Sequence, residues 1–391
     1  MLNTSLSPWP SFTQEEADAV SKVLLSNKVN YWTGTECREF EKEFAAFVGT
    51  QYAVALSNGT LALDVALKAM GTGQGDDVIV TSRTFLASAS CIVTAGANPV
   101  FADVDLNSQN ISAETIKAAL TPNTKAIIVV HLAGMPAEMD GIMDLAKEHD
   151  LWVIEDCAQA HGAKYKGKSV GSIGHVGAWS FCQDKIMTTG GEGGMVTTND
   201  KELWSKMWSY KDHGKSYDAV YHREHAPGFR WLHESFGTNW RMMEMQAVIG
   251  RIQLKRMPEW TARRQAHAAK LAESLGKFAG IRLIEVADYI EHAQYKFYAF
   301  VKPEHLKEGW TRDRIVSELN ARKVPCYQGS CSEVYLEKAF DNTPWRPKER
   351  LKNAIQLGDT SLMFLVHPTL TDDEIAFCKE HIEAVLAEAT A

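Results

Sequence analysis

No CxxC spacing occurs in this 391-residue chain, although it holds seven cysteines at 37, 91, 157, 182, 326, 331 and 378. An odd, irregular set argues against a disulfide framework and against a zinc site, so free thiols in a reducing, cytoplasmic setting are expected and no metal is assigned. Runs of about 18 apolar residues are also missing, which gives no expectation of a transmembrane helix or a membrane partner. The opening Met1-Leu2-Asn3-Thr4 lacks a basic segment followed by an apolar one, so no signal peptide is expected. Basic residues are not in excess: 41 Lys and Arg stand against 49 Asp and Glu, a net charge of −8, and nucleic acid is not an expected partner. No internal repeat is visible.

What remains is an ordinary globular composition with enough length for two domains. From Gln51 to about Asn199, short β-rich runs alternate with helical patterns. Strands are predicted at Tyr52–Leu56, Asp77–Thr81, Pro99–Val104, Ala126–His131, Leu151–Glu155, Ala178–Phe181 and Met195–Thr198. Helices are predicted at Thr60–Met70, Leu86–Ala95, Ser112–Leu120 and Glu138–His149. Near-continuous apolar strands mean that both sheet faces are covered, which predicts an open, mostly parallel α/β sheet. Ligands of such sheets lie beyond the carboxyl ends of the strands. After Asn239 the pattern becomes helical, and Met242, Met245, Ile249 and Ile252 read as a core face. The last third suits a smaller α+β domain. The expected division is 1–260 for the large domain and 261–391 for the small one.

Three features in one order carry chemistry. Gly59-Thr60 precede a helical pattern and would present N–H groups and a hydroxyl to a phosphate. Asp156 falls just after an apolar strand, where a carboxylate can keep a pyridine nitrogen protonated. Lys185 stands just before the glycine cluster 190–194 and can form a Schiff base. Together they point to pyridoxal phosphate (PLP). Four further residues extend the set. Ser180 would add a phosphate hydroxyl, Gln159 would donate to the phenolic oxygen, and Phe85 would stack on the ring. Asn239 reads on sequence alone as a helix N-cap. Taken singly, each has an ordinary structural reading; the combination makes the case.

These residues resemble the sugar aminotransferase family called DegT/DnrJ/StrS. The matching runs are 57–63 (Ser-Asn-Gly-Thr-Leu-Ala-Leu), 84–88 (Thr-Phe-Leu-Ala-Ser), 131–140, 155–163 (Glu-Asp-Cys-Ala-Gln-Ala-His-Gly-Ala), 180–194 and 239–247. The resemblance implies a fold type I, aspartate aminotransferase-like α/β transferase and a homodimer with active sites at the subunit interface. It also implies that Asn239 reaches the partner's cofactor phosphate. L-glutamate is the implied amino donor. The implied acceptor is a nucleotide-diphosphate keto-deoxysugar, with C4 of a 4-keto-6-deoxyhexose expected, C3 as the rival, and products bound for lipopolysaccharide O-antigen or other glycoconjugates. Trp32 and Tyr327 stand where the family contacts sugar, and Arg230 and Arg241 are candidates for the nucleotide phosphates. Lys185 argues against the dehydratase branch, which carries histidine there, and no appended module suggests a non-catalytic regulator. Cys157 and Cys182 depart from the family pattern. The histidine-rich segment Lys211–Phe236 is expected to shape the substrate pocket.

Overall fold

A computed structural model describes residues 6–390. Helices α1 (Gln14–Leu25) and α2 (Glu36–Val48) lead into the first αβ units: β1 (Tyr52–Leu56), α3 (Gly59–Ala69), β2 (Asp77–Thr81), α4 (Ala87–Thr94) and β3 (Asn98–Ala102). Next come α5 (Ala113–Ala119), β4 (Thr124–Val130), α6 (Met139–Glu148) and β5 (Trp152–Asp156). A small hairpin, β6 (Lys164–Tyr165) and β7 (Lys168–Ser169), precedes β8 (Val176–Ser180), β9 (Gly194–Thr198), α7 (Lys201–Tyr210), α8 (Tyr217–Tyr221) and the long α9 (Glu244–Leu275). The remainder is β10 (Ile281–Leu283), β11 (Ile290–Glu291), β12 (Phe297–Val301), α10 (Arg312–Ala321), β13 (Cys326–Tyr327), α11 (Lys352–Thr360), β14 (Ser361–Phe364) and α12 (Asp372–Ala389).

The central sheet has seven strands in the order β1-β9-β8-β5-β4-β2-β3. β9 runs antiparallel to both neighbours, and the other contacts are parallel. Side chains alternate across it with period two. Val78, Val80, Ala126, Ile128 and Ile154 enter the core on one face. Ile79, Ile127, Val129 and Val153 enter the core on the other. Each fully buried Val or Ile contributes about 1.5–3 kcal/mol, so neither face tolerates a register slip. α2 shows the helical counterpart: Cys37, Phe40, Phe44 and Val48 are buried at intervals of three and four, and the helix ends at Gly49 in the left-handed region (φ 81°).

A second sheet, β10-β12-β14-β13, is antiparallel and packs with α10 and α12 around Ile315, Leu319, Leu362 and Val385. α9 spans both cores. Ala247, Leu254 and Met257 pack under the large sheet, whereas Ala268, Leu271 and Leu275 join the small one. Val334, Tyr335 and Phe340 return to the large core. We propose keeping the division near residue 260, with this helix as the shared strut.

Two expectations about α9 need correction. Asn239 is not its N-cap: the helix starts at Glu244 after Met243, and Asn239 instead pairs with Asp212 in an isolated bridge. The stripe of Met245, Ile249 and Ile252 is half-buried rather than core, because Ala247, Gly250, Gln253 and Leu254 form the buried face. Met242 is buried, but ahead of the helix.

Candidate active site

The loops following β1, β2, β5 and β8 converge at the carboxyl edge of the parallel strands. After β1, the Asn58 side chain accepts from the Leu61 N–H at 3.0 Å and caps α3. The first-turn N–H groups of Gly59 and Thr60 have no intrahelical acceptor and face outward with the positive end of the helix dipole. Gly59 is required here: a Cβ at this position would lie 2.5 Å from Ser180 Cβ. At Gly194 a Cβ would lie 2.2 Å from the Asn58 carbonyl oxygen. The start of α3 and the ends of β8 and β9 therefore form one tight concavity containing Gly59, Thr60 and Ser180. Ser180 is buried, and its hydroxyl accepts from the Cys182 N–H at 3.3 Å.

Asp156 is the last residue of β5, not the residue after it. Its carboxylate accepts from the Ser88 hydroxyl at 2.8 Å and from the Ala158 N–H at 3.1 Å. Burial pushes this carboxyl above its ordinary range; the bonds from Ser88 and Ala158 and the nearby Lys185 charge oppose the rise. No ion pair holds Asp156 among the described residues, so its charge calls for a cation at this spot. Gln159 accepts from the Ala133 N–H through Oε1 at 2.8 Å, which leaves its Nε2 as the free donor. Phe85 is 71% exposed despite following a core strand. A large apolar ring left in the open, three residues before Asp156's partner Ser88, suits stacking on a planar ligand.

Lys185 lies in the turn after β8. Its N–H donates to the Cys182 carbonyl at 3.1 Å, and its carbonyl accepts from the Trp9 indole at 2.9 Å. Its ammonium stands 5.4 Å from the centre of the Tyr295 ring, and the Tyr295 hydroxyl donates to Asp184 at 2.5 Å. Ser88, Asp184 and Tyr295 were assigned no role from sequence. Ser88 sat within the 84–88 run, but its link to Asp156 crosses 68 positions.

The neighbouring acid, Glu155, points the other way. It accepts from His131 at 2.9 Å and from the N–H groups of Gly171, Ile173 and Gly174 at 2.9, 2.8 and 2.6 Å. His131 Nδ1 accepts from the Ala137 N–H, so the ring proton is on Nε2 and is given to Glu155. His131, Glu155 and Cys157 are the only described residues that group as possible metal ligands. The lone pairs of the histidine and carboxylate are committed to protein donors, so this cluster is structural. His213, His222, His225 and His233 do not converge with other ligands.

The residues proposed to contact substrate are more dispersed. Trp32 packs edge-on against Trp208 at 6.1 Å, with Lys215 4.1 Å above its ring. Arg241 pairs through its backbone with Leu56, beside the cradle, while its guanidinium holds Asp212 at 2.8 Å. Arg230 is exposed on the segment before β-bridge residue His233, and Tyr327 is half-buried opposite Met363. Asn239 is exposed. Trp240, next to it, accepts from the Ser57 N–H at 3.0 Å, so this segment borders the cradle.

The concavity that a Cβ would fill, the unpaired buried acid, the open aromatic ring and the strand-end lysine all fit PLP. We propose that Gly59, Thr60 and Ser180 would hold its phosphate, Asp156 its ring nitrogen and Lys185 its carbonyl carbon. This sheet and this site define a PLP-dependent transferase of the aspartate aminotransferase-like fold. The family profile described as the DegT/DnrJ/EryC1/StrS aminotransferase family matches residues 10–383, and the chain belongs to that family. It is a sugar aminotransferase that uses PLP. The chain is 42% identical to GDP-perosamine synthase of Escherichia coli O157:H7, over 95% of this chain and 96% of that one. Identity is also 42% to the UDP-N-acetyl-3-dehydro-alpha-D-glucosamine 3-aminotransferase of Acidithiobacillus ferrooxidans, covering 91% and 90%. The X-ray structure of the aminotransferase from Psychrobacter cryohalolentis superposes with a TM-score of 0.96 at 65% identity, covering 98% of this chain and 99% of that one.

Proposed function

We propose that the chain moves the amino group of L-glutamate to a nucleotide-diphosphate keto-deoxysugar, at C4 of a 4-keto-6-deoxyhexose, for a surface polysaccharide or glycoconjugate. The observation that carries this reading is the meeting of Lys185, Asp156 and the Gly59–Ser180 concavity at one sheet edge. Two relatives of equal identity differ in nucleotide, GDP against UDP, and one is named for the 3-position. C3 amination is therefore the second reading.

When bound, PLP supplies an electron sink for a carbanion at the donor's Cα. The chain's residues supply the rest. Asp156, held by Ser88 and Ala158, keeps the ring nitrogen positively charged. Phe85 and Gln159 fix the ring plane and its phenolic oxygen. The cradle takes the phosphate and prevents the ring from turning. Lys185 Nζ would hold the cofactor's carbonyl carbon and, once the donor amine took that place, would carry the proton between the donor Cα and that carbon, two bonds away across the nitrogen; on the sugar it would serve the same transfer in reverse. One lysine serving both halves predicts ping-pong kinetics.

We also propose a cytoplasmic homodimer with Asn239 reaching the partner's cofactor phosphate. Exposed Asn239 beside the cradle supports this. So do Phe229, Trp231 and Phe236, at 77%, 81% and 99% exposure, and the half-buried stripe Met245, Ile249 and Ile252. No helix among the described residues is long and apolar enough to cross a membrane. The reading is tested by incubating the PLP-loaded protein with L-glutamate and a panel of UDP-, GDP- and dTDP-linked 3-keto and 4-keto sugars. Mass spectrometry and NMR then place the new amine. A 4-amino-6-deoxy product supports the proposal, a 3-amino product moves it to the second reading, and no amino sugar with any acceptor refutes both.

A further inference from the structure

Behind Lys185 lies an accumulation of positive charge that the mechanism above leaves unused. Arg264, on α9, is 1% exposed. Its one hydrogen bond runs from Nη1 to the Tyr295 carbonyl at 3.4 Å, and its Nε and Nη2 have no acceptor. Trp9 covers it, with the guanidinium carbon 5.0 Å from the ring centre. Lys296 is half-buried, and its ammonium stands 4.7 Å from the centre of the same Tyr295 ring that Lys185 faces at 5.4 Å. Neither Arg264 nor Lys296 joins an ion pair with any described residue. The charge of Asp184 acts on Lys296, and the Tyr295 hydroxyl already occupies one of its oxygens.

The neighbours register this potential. Burial, with Arg264 and Lys296 beside it, pushes His367 down to about 3. Burial, then Lys185 and Arg264, does the same to His161, also to about 3. Lys296 falls to about 8 through burial, with Asp184 opposing and Arg264 and Lys185 adding to the drop. A buried guanidinium with two idle donors and no carboxylate is an expensive arrangement unless an anion completes it. Enclosure under Trp9 favours a small planar anion over a bulky nucleotide phosphate, and a guanidinium fork matches a carboxylate edge.

We propose that Arg264 and Lys296 form a seat for a carboxylate beside Lys185, and that its occupant is a carboxylate of the amino donor. This rests on the glutamate reading above and adds the residues that recognise the donor. Lys296 meets the carboxylate at the open side, and Arg264 supplies charge and donors from behind.

Glutarate is the probe, because it has both carboxylates of the donor and no amine to react. Its binding to PLP-loaded wild type, K296M and K296R is measured by calorimetry, and PLP content and thermal midpoint report that each variant is folded. The expected result is a glutarate Kd at least about tenfold weaker in K296M and largely restored in K296R, with the half-saturating glutamate concentration raised in parallel. R264Q is expected to weaken glutarate further; should it fail to fold, the Lys296 pair still decides. Equal glutarate affinity in wild type and K296M overturns the seat. So does a site filled by chloride with glutarate binding indifferent to it, since the occupant is then a free ion. Glutamate as donor fails separately: the visible band of PLP-loaded wild type then ignores glutamate, whatever the Lys296 variants do with glutarate.

Discussion

Replacing Glu155 with Gln tests how the sheet holds Asp156 in place. Glu155 is fully buried and accepts four hydrogen bonds, two on each oxygen: His131 and Gly171 on Oε2, Ile173 and Gly174 on Oε1. Whichever oxygen becomes an amide nitrogen then faces two donors instead of accepting from them. Two orphaned buried donors at about 1–3 kcal/mol each put the loss at roughly 2–6 kcal/mol, against a typical total of about 5–15 kcal/mol. The pH dependence has a definite sign. Burial pushes the Glu155 carboxyl up, but the bonds from His131, Gly171 and Gly174 outweigh it and hold the folded value below the usual 4.5. Glu155 therefore stabilises the fold above that value, and the contribution is lost as pH falls through the folded pKa. The E155Q deficit should be complete at pH 7 and shrink in acid. Equilibrium urea unfolding of wild type and variant at one fixed protein concentration measures it. A deficit under about 0.5 kcal/mol at pH 7 would refute the four-donor account.

Other outcomes follow from the site. S88A removes one charge-assisted bond to Asp156, worth about 1.5–3 kcal/mol, and should weaken PLP binding roughly 10- to 100-fold in a fluorescence titration. D156N should weaken PLP binding yet stabilise the cofactor-free chain at neutral pH. Burial raises the folded pKa of Asp156, so the stability tied to its proton is present in acid and lost as pH rises through that pKa; thermal melts of the cofactor-free proteins from pH 4 to 8 should show the two curves diverging upward in pH. G59A places a methyl 2.5 Å from Ser180 Cβ and should cost about 1–3 kcal/mol of stability together with phosphate binding; the G59A/S180G pair should recover part of it in a double-mutant cycle.

Gly59, Asp156 and Lys185 stood out in the chain because the task proposed for each suits few residue types, at a place that strand periodicity predicts. The alternating apolar faces of β2, β4 and β5 were legible for the same reason. Asn239 was misread as a cap because a polar residue before an apolar helical pattern looks the same whether the helix starts one residue later or at Glu244. The Met245, Ile249 and Ile252 stripe follows helical spacing, but spacing alone does not say whether a face meets the chain's own core. Ser88, Tyr295, Lys296 and Arg264 were invisible because their meaning lies in distant partners: Tyr295 meets Asp184 across 111 positions. The proposed substrate contacts were the least legible, since Trp32 and Arg241 are residue types that serve packing and ion pairs equally well.

The central claim is that Lys185 bonds PLP and passes the donor's proton. It is tested most directly by the visible absorption spectrum of the PLP-loaded protein before and after excess L-glutamate, with K185A beside it. The account predicts a yellow band in wild type that glutamate bleaches as 2-oxoglutarate forms; K185A should show neither the band nor turnover, a loss of at least about 10²–10⁴-fold. A wild-type band that glutamate leaves unchanged, or a K185A protein that transaminates like wild type, would contradict it.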